Sequence, residues 1–223
     1  MNSQTLSGVD LLEKSIAYHD PSNAWATFND SLVINMKIPD KPERLSEIKI
    51  NLPAEYFYVK ATNDGNITQY TVDKDNCEIA YNGQKNPDAA RQKELGISCE
   101  RASMYKNYYT YLYGLPMKLK DPGTNIDPVV TKKTFKGKEY LVLKASYDPA
   151  VGSDVWFFYF DPNTYAMEVY QFFKGDPKAA GKDTGEYILL TEESTIGGIK
   201  FPKNRAWYYN KDDKYLGTDF LMN

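Results

Sequence analysis

The chain has 223 residues, 42% of them hydrophobic and 26% charged, with a net charge of −3, which is the composition of a folded globular protein and excludes wholesale disorder. Lysines are interspersed with acids and form no basic block, so the surface makes no electrostatic case for nucleic acid or an anionic membrane. No stretch approaches the ~18 apolar residues of a helical membrane span.

The departure from average composition lies in 19 tyrosines and 10 phenylalanines. They gather in alternating segments, and aromatic side chains suit a pleated, half-buried sheet. The length admits one large β domain or two small ones and suffices for a core without a metal. The start MNSQTLSG has neither the basic region nor the apolar run of a secretory signal. Either the chain is cytosolic or its leader is absent from this sequence; the abundance of Tyr, Asn and Asp and only two cysteines favour the second reading.

Ser7–Tyr18 reads as a helix spanning 8–19, capped by Ser7 with Asp10 three residues on, and with Val9, Leu12 and Ile16 on one face. His19-Asp20-Pro21 ends it, because a residue before proline is pushed out of helical angles. From Trp25 the period changes to two, and residues 25–82 read as strands. Phe28, Leu32, Ile34, Met36 and Ile38 share one face, Ile48, Ile50 and Leu52 mark the next strand, and Glu55–Thr62 follows. Asn63-Asp64-Gly65-Asn66 is a hairpin signal, since Asp-Gly accepts the positive φ angles of the two-residue turn. Residues 86–115 interrupt the strands as a helical insert. Asn86-Pro87 reads as its cap, Gly96 as the end of a first helix, and Ser98 as the start of a second with Met104, Tyr108, Tyr111, Leu112 and Leu115 at helical spacing.

Period two returns over 129–221, with Gly137, Gly152, Asp161-Pro162-Asn163, Gly197-Gly198 and Lys211–Lys214 as turns. The expectation is α+β and mostly antiparallel β: about eleven strands, one helix before them and one helical insert. With no linker in the middle, residues 1–223 read as one domain. The segment Val155–Phe160, VWFFYF, is apolar on both alternating faces, so both sides of the sheet there need shielding.

The strand–helix order and Gly197-Gly-Ile-Lys-Phe-Pro-Lys203 resemble the LolA/LolB-like periplasmic lipoprotein-carrier superfamily. Tyr111–Thr124 (YLYGLPMKLKDPGT), with His19-Asp20-Pro21 and Tyr215–Asp219, resembles an uncharacterised exported family of Gram-negative bacteria with that fold. The resemblance implies a single curved sheet forming an unclosed half-barrel, with the N-terminal helix and the insert covering its concave face over an apolar cavity. It also implies a periplasmic or outer-membrane-anchored protein whose lipidated cysteine would lie upstream of this sequence. It supplies no catalytic residues, and kinship of fold does not transfer lipoprotein transport.

Cys77 and Cys99 flank the first helix of the insert. In an exported chain they read as a disulfide, worth about 3 kcal/mol of loop-closure entropy; otherwise they are two buried thiols. Neither lies in a metal-binding spacing, and one histidine cannot complete a zinc site with them. His19 is the only histidine and sits in a turn without a nucleophile signature, so it reads as structural. Asp148, Asp154 and Asp161 read as strand-end and turn residues. No phosphate loop or dinucleotide fingerprint is present, and no cofactor or metal is expected.

The remaining constellation is aromatic. Tyr108, Tyr111, Leu112 and Leu115 on the insert would face Trp156 and Phe158, with Lys118 and Lys120 at the mouth, as a site for a lipid or other hydrophobic small molecule. Plain helix-on-sheet packing explains the same pattern. The functional expectation is a non-catalytic envelope protein that binds such a ligand. The alternatives are a structural module contacting an envelope protein partner and, third, a carboxylate-dependent hydrolase.

Overall fold

The computed structural model describes residues 6–223; residues 1–5, part of the MNSQTLSG start, lie outside the described residues. Helix α1 covers Gly8–His19 and begins with the expected capping box: Ser7 Oγ accepts from the Asp10 N–H at 3.2 Å, and the Asp10 carboxylate accepts from the Ser7 N–H at 3.1 Å. Beyond the helix, the Asp20 carboxylate accepts from the N–H groups of Ala24 (2.7 Å) and Trp25 (2.9 Å). Those bonds wind Ala24–Thr27 into a short 3₁₀ turn, so the first strand begins at Asn29 and not at Trp25.

The strands are β1 Asn29–Lys37, β2 Arg44–Asn51, β3 Tyr56–Asn63, β4 Asn66–Asp73, β5 Asn76–Tyr81 and β6 Gln84–Lys85. After helices α2 (Ala89–Leu95) and α3 (Cys99–Gly114) come β7 Thr124–Ile126, β8 Thr131–Phe135, β9 Lys138–Tyr147, β10 Val155–Phe160, β11 Met167–Phe173, β12 Glu186–Ile196, β13 Ile199–Tyr209 and β14 Tyr215–Leu221. They form one sheet in the order β6-β5-β4-β3-β2-β1-β14-β13-β12-β11-β10-β9-β7, with β8 also on the outer edge of β9. All neighbours are antiparallel, and β1 pairs with β14 (Ile34 opposite Leu221) in the middle of the sheet. The two end strands do not pair with each other, so the curved sheet stays an unclosed half-barrel. There are 14 strands where eleven were expected. β6 and β7, of 2 and 3 residues, are too short to show a period of two.

Two hairpins follow directly from their turn residues. Asp64 and Gly65 take φ of 49° and 74° between the paired Asn63 and Asn66, and Gly197 and Gly198 take 59° and 84° between Ile196 and Ile199. Positive φ at both central positions twists the turn in the sense of the flanking strands.

The insert corrects two expectations. The cap of α2 is Asp88, whose carboxylate accepts from the Arg91 N–H at 2.9 Å. Asn86 is committed elsewhere, because its side-chain oxygen accepts from the Ile79 N–H of β5 at 3.1 Å. Met104 is 53% exposed, and the face of α3 that packs on the sheet runs through Ala102, Tyr105, Tyr109, Leu112 and Tyr113. The five tyrosines in 16 residues span a broad arc opposite the polar stripe of Ser103, Lys106, Asn107 and Thr110, so the period alone does not choose which part of that arc meets the sheet. Tyr105 stacks on Tyr70 (5.6 Å) and Tyr109 on Phe57 (6.4 Å), filling the concave side. A disulfide joins Cys77 of β5 to Cys99 at the first turn of α3, with Cα atoms 5.9 Å apart.

The doubly apolar β10 has both faces covered. Trp156, Phe158 and Phe160 belong to the main core under α3. On the convex face Tyr159 packs with Tyr140, Val142 and Val169 in a second small cluster, with Phe135 and Phe157 against it. Lysines roof this cluster: Lys133 lies 4.6 Å from the Phe157 ring centre and Lys138 5.4 Å from that of Tyr140, where ammonium groups are attracted to ring faces and aliphatic stems cover carbon.

His19 closes α1 onto the sheet. Its Nε2 accepts from the Met167 N–H of β11 at 2.9 Å, so Nδ1 carries the proton and donates to the Lys200 carbonyl of β13, also 2.9 Å. Both ring nitrogens are used in a fully buried imidazole, which defines a structural latch. Burial holds its pKa below the ordinary 6.5. The unfolded chain therefore takes up a proton below pH 6.5 while the native state resists, so the latch contributes fully above that pH and stability falls as pH drops below it. Between about pH 7 and about pH 5 the wild-type melting temperature should fall more steeply than that of His19→Gln, which should start about 1–3 kcal/mol less stable. Equal slopes would show that His19 is not buried neutral.

Candidate functional site

α3 lies along the concave side with a depression on each flank. On the flank toward β7, β9 and β10 is a cleft of about 430 Å³. Its aromatic wall is Tyr111, Tyr147 and Trp156, and its polar rim includes Asn107, Thr110, Lys118, Asp121 and Asp154. Tyr111 meets Trp156 edge-on at 5.6 Å, and Trp156 stacks on Phe172 at 4.9 Å. The Tyr111 and Tyr147 hydroxyls bond to each other, and Lys118 pairs with Asp121. Burial is the main reason the Tyr147 phenol rises to about 12 and that of Tyr111 higher still. Both remain neutral hydrogen-bonding groups and not bases at physiological pH.

The residues expected to form a ligand site are divided by the structure. Tyr111, Trp156 and Lys118 line the cleft together. Leu112, Leu115 and Phe158 are at most 4% exposed and lie inside the core. Tyr108 is turned to the middle of the sheet, stacked at 6.3 Å on Trp207. Lys120 reaches away to Glu13 of α1 at 2.8 Å. Tyr108 and Tyr111 are offset by about 60° around the helix, and on this sheet that offset sends them to different neighbours, Trp207 and Trp156. Tyr147 and Asp121 were missed; Tyr147 ends a strand and Asp121 sits in a loop, and neither position carries a periodic signal.

Of the three carboxylates weighed for hydrolysis, Asp154 lies on the rim of the cleft and the other two are occupied. Asp161 accepts from the N–H groups of Asn163 and Thr164, both at 2.9 Å, and pairs with Lys138 at 2.8 Å; the lysine and those bonds hold its carboxyl far below the usual range. Asp148 accepts from Asn125 at 2.9 Å. Among the described residues no three His, Cys, Asp or Glu side chains are grouped as metal ligands.

Beneath α3 lies a polar seam that sequence reading did not find. Arg205 of β13 and Asp219 of β14 face each other in register and are 1% and 3% exposed. The Arg205 guanidinium lies 3.7 Å from the centre of the Tyr113 ring, and its Nη1 donates to the Pro202 carbonyl at 3.0 Å. Asp219 accepts from Trp207 Nε1 (3.3 Å) and the Tyr108 hydroxyl (3.4 Å). Burial pushes the Asp219 carboxyl above the usual carboxylate range, against the pull of Arg205 and Arg44. Arg205 Nε and the hydroxyls of Tyr113 and Tyr170 have no partner among the described residues. Parity could have flagged the pair, since Arg205 shares a strand face with Phe201 and Trp207, and Asp219 with Leu221. Neither residue lines the cleft, so the seam holds helix to sheet and does not meet a ligand there.

Removing one member of such a seam strands the others. Arg205→Ala should cost about 3–5 kcal/mol in chemical denaturation, and Arg205→Met, which keeps the packing over Tyr113, distinctly less. Equal losses would mean that packing plays no part.

The sequence matches over residues 1–223 a family described as a family of unknown function, DUF6503. No curated protein matches it. Among solved structures, a LolA superfamily protein from Nitrosomonas europaea aligns over 98% of this chain and 93% of its own, with TM-score 0.56 and 10% identity. A DUF1329 family protein from Desulfovibrio piger aligns over 97% and 90%, with TM-score 0.49 and 8% identity. At such identity the first likeness establishes the fold and no more. The chain belongs to the DUF6503 family and carries the LolA-like fold.

Proposed function

We propose that this protein is a non-catalytic component of the bacterial cell envelope that binds the apolar part of an amphipathic molecule in the cleft between α3 and the β9–β10 strands. The observation that carries the reading is the aromatic wall of Tyr111, Tyr147 and Trp156 beside a charged rim in a cleft of about 430 Å³, within the size range of small-ligand sites. The broad concave surface is not itself the container, because Tyr105, Tyr109, Leu112 and Tyr113 of α3 already fill it. The apolar stretch of the ligand would lie on the Trp156 and Tyr111 rings, with Lys118 and Asp121 toward its polar end. The exported setting is supported by the LolA-like fold and by the Cys77–Cys99 disulfide, which persists in oxidising compartments. Among the described residues no helix is long and apolar enough to cross a membrane.

The non-catalytic part of the reading is supported by what two of the titratable groups do. The only histidine is locked between two backbone groups, and the Asp161 carboxyl is held by a lysine and a turn.

Titration with dodecanoate, followed by tryptophan fluorescence and calorimetry, tests the site. Wild type should bind saturably. Val151→Glu, at a cleft-lining position 59% exposed to solvent, should weaken binding about tenfold or more without unfolding the chain, a change of about 1.4 kcal/mol. Trp156→Ala should weaken it at least as much. Absence of saturable binding, or binding unaffected by both substitutions, would remove the cleft from consideration.

A further inference from the structure

The opposite flank of α3 has different chemistry. Between α3 and β1–β4 runs an open groove of about 340 Å³ whose lining includes Arg44, Arg101, Asn66 and Thr68 and contains no Asp or Glu among the described residues. Two of the four arginines in the chain thus stand in one acid-free groove of a protein with net charge −3. We infer that this groove binds a phosphoryl group.

The register explains how the groove is assembled. Arg44 opens β2 opposite Asn63 of β3, and Asn63 faces Asn66 across the Asp64-Gly65 turn. Thr68 lies opposite Ala61, whose small side chain leaves space on the floor. All of these positions share the parity of the concave face. Arg101 comes from the first turn of α3, where the partial positive charge of a helix start adds to its own; a cation there is unfavourable for the helix alone. The disulfide at Cys99 holds that turn against the sheet.

Arg44 is held in place without a direct ion pair, the buried Asp219 acting on it only at a distance. Its Nη1 and Nη2 donate to the hydroxyls of Tyr105 and Tyr109, both at 3.3 Å, while Nε finds no partner among the described residues. Arg101 spends one N–H on the Gly96 carbonyl at 3.2 Å. Neither forms an ion pair with a described carboxylate, whereas Arg91 pairs with Glu94 at 2.7 Å. A guanidinium fixed by neutral hydroxyls, with a second guanidinium, a threonine hydroxyl and an asparagine amide that spends one N–H on the Asp64 carbonyl lining the same groove, is a donor set suited to phosphoryl oxygens. The inference does not rest on the aromatic cleft, and either can fail alone.

The test is NMR of arginine Nε–H and asparagine side-chain resonances in the intact protein during addition of inorganic phosphate, against sodium chloride at matched ionic strength. A parallel arm uses phosphatidylcholine vesicles with and without phosphatidylglycerol. Saturable shifts at Arg44 and Asn66 with phosphate, weakened fivefold or more in Arg101→Gln, are expected. Arg101 is exposed, so that variant should fold; Arg44→Lys, which keeps charge but loses the fork, should weaken binding as well. Response to phosphate alone identifies a free phosphoryl compound as the ligand, and an additional response to phosphatidylglycerol vesicles identifies a lipid headgroup. Absence of saturable shifts in both arms, or shifts that chloride reproduces or that Arg101→Gln leaves unchanged, would overturn the inference.

Discussion

The packing of the tyrosine face of α3 against the concave side of the sheet decides most other features of the protein. A half-barrel leaves one face of a large sheet uncovered, and an apolar surface of that size cannot remain in water. α3 covers it with rings and not with aliphatic side chains. Buried phenols bring hydroxyls that call for partners, and the sheet answers those of Tyr105, Tyr108 and Tyr109 with Arg44, Ser46 and Asp219, while that of Tyr113 has none among the described residues. Tyr109 is tied to Ser46 at 3.3 Å and to Arg44, and Tyr108 to Asp219. The interface is therefore an aromatic layer with polar pins, which fixes the register of helix on sheet more narrowly than an oily surface would.

From that arrangement follow the two depressions. A single helix is about 10–12 Å wide with its side chains and does not span a half-barrel from edge to edge, so its flanks leave room on each side. Toward β9 and β10 the sheet presents Trp156 and Tyr147, and the depression is aromatic. Toward β1–β4 it presents Arg44 and Asn66, and the depression is cationic. The concave interior that the resemblance implied as an apolar cavity is instead occupied by the helix itself.

The sheet was readable in the sequence because its signals are local. Alternation in Leu32–Ile38 and Leu45–Leu52, and the Asp64-Gly65 and Gly197-Gly198 turns, each specify structure from a few neighbouring residues. The Ser7–Asp10 capping box is readable for the same reason. The site was only partly readable because it depends on which face of α3 meets the sheet. With tyrosine at 105, 108, 109, 111 and 113, the pattern admits several faces, and the choice is made by Arg44, Arg205 and Asp219 on strands far away in the chain. Tyr108 and Tyr111 were grouped by spacing and then sent to different sides by that choice. The convex cluster around Tyr159 was foreseen only as a need for shielding at Val155–Phe160. Its roof, Lys133 and Lys138 over aromatic rings, comes from strand β8 and the first residue of β9, lysines that look like ordinary solvated charges when read alone.

The central claim is that α3 is a permanent part of the core, pinned through its tyrosines, and that ligands approach its flanks and do not displace it. Native-state hydrogen exchange measures this directly. Amides of residues 102–113 should exchange only with the slowest amides of β12, β13 and β14, through global unfolding. If α3 instead exchanged about a hundredfold or more faster while those strands stayed protected, it would be opening on its own, and the concave face would be a gated cavity and not a filled core.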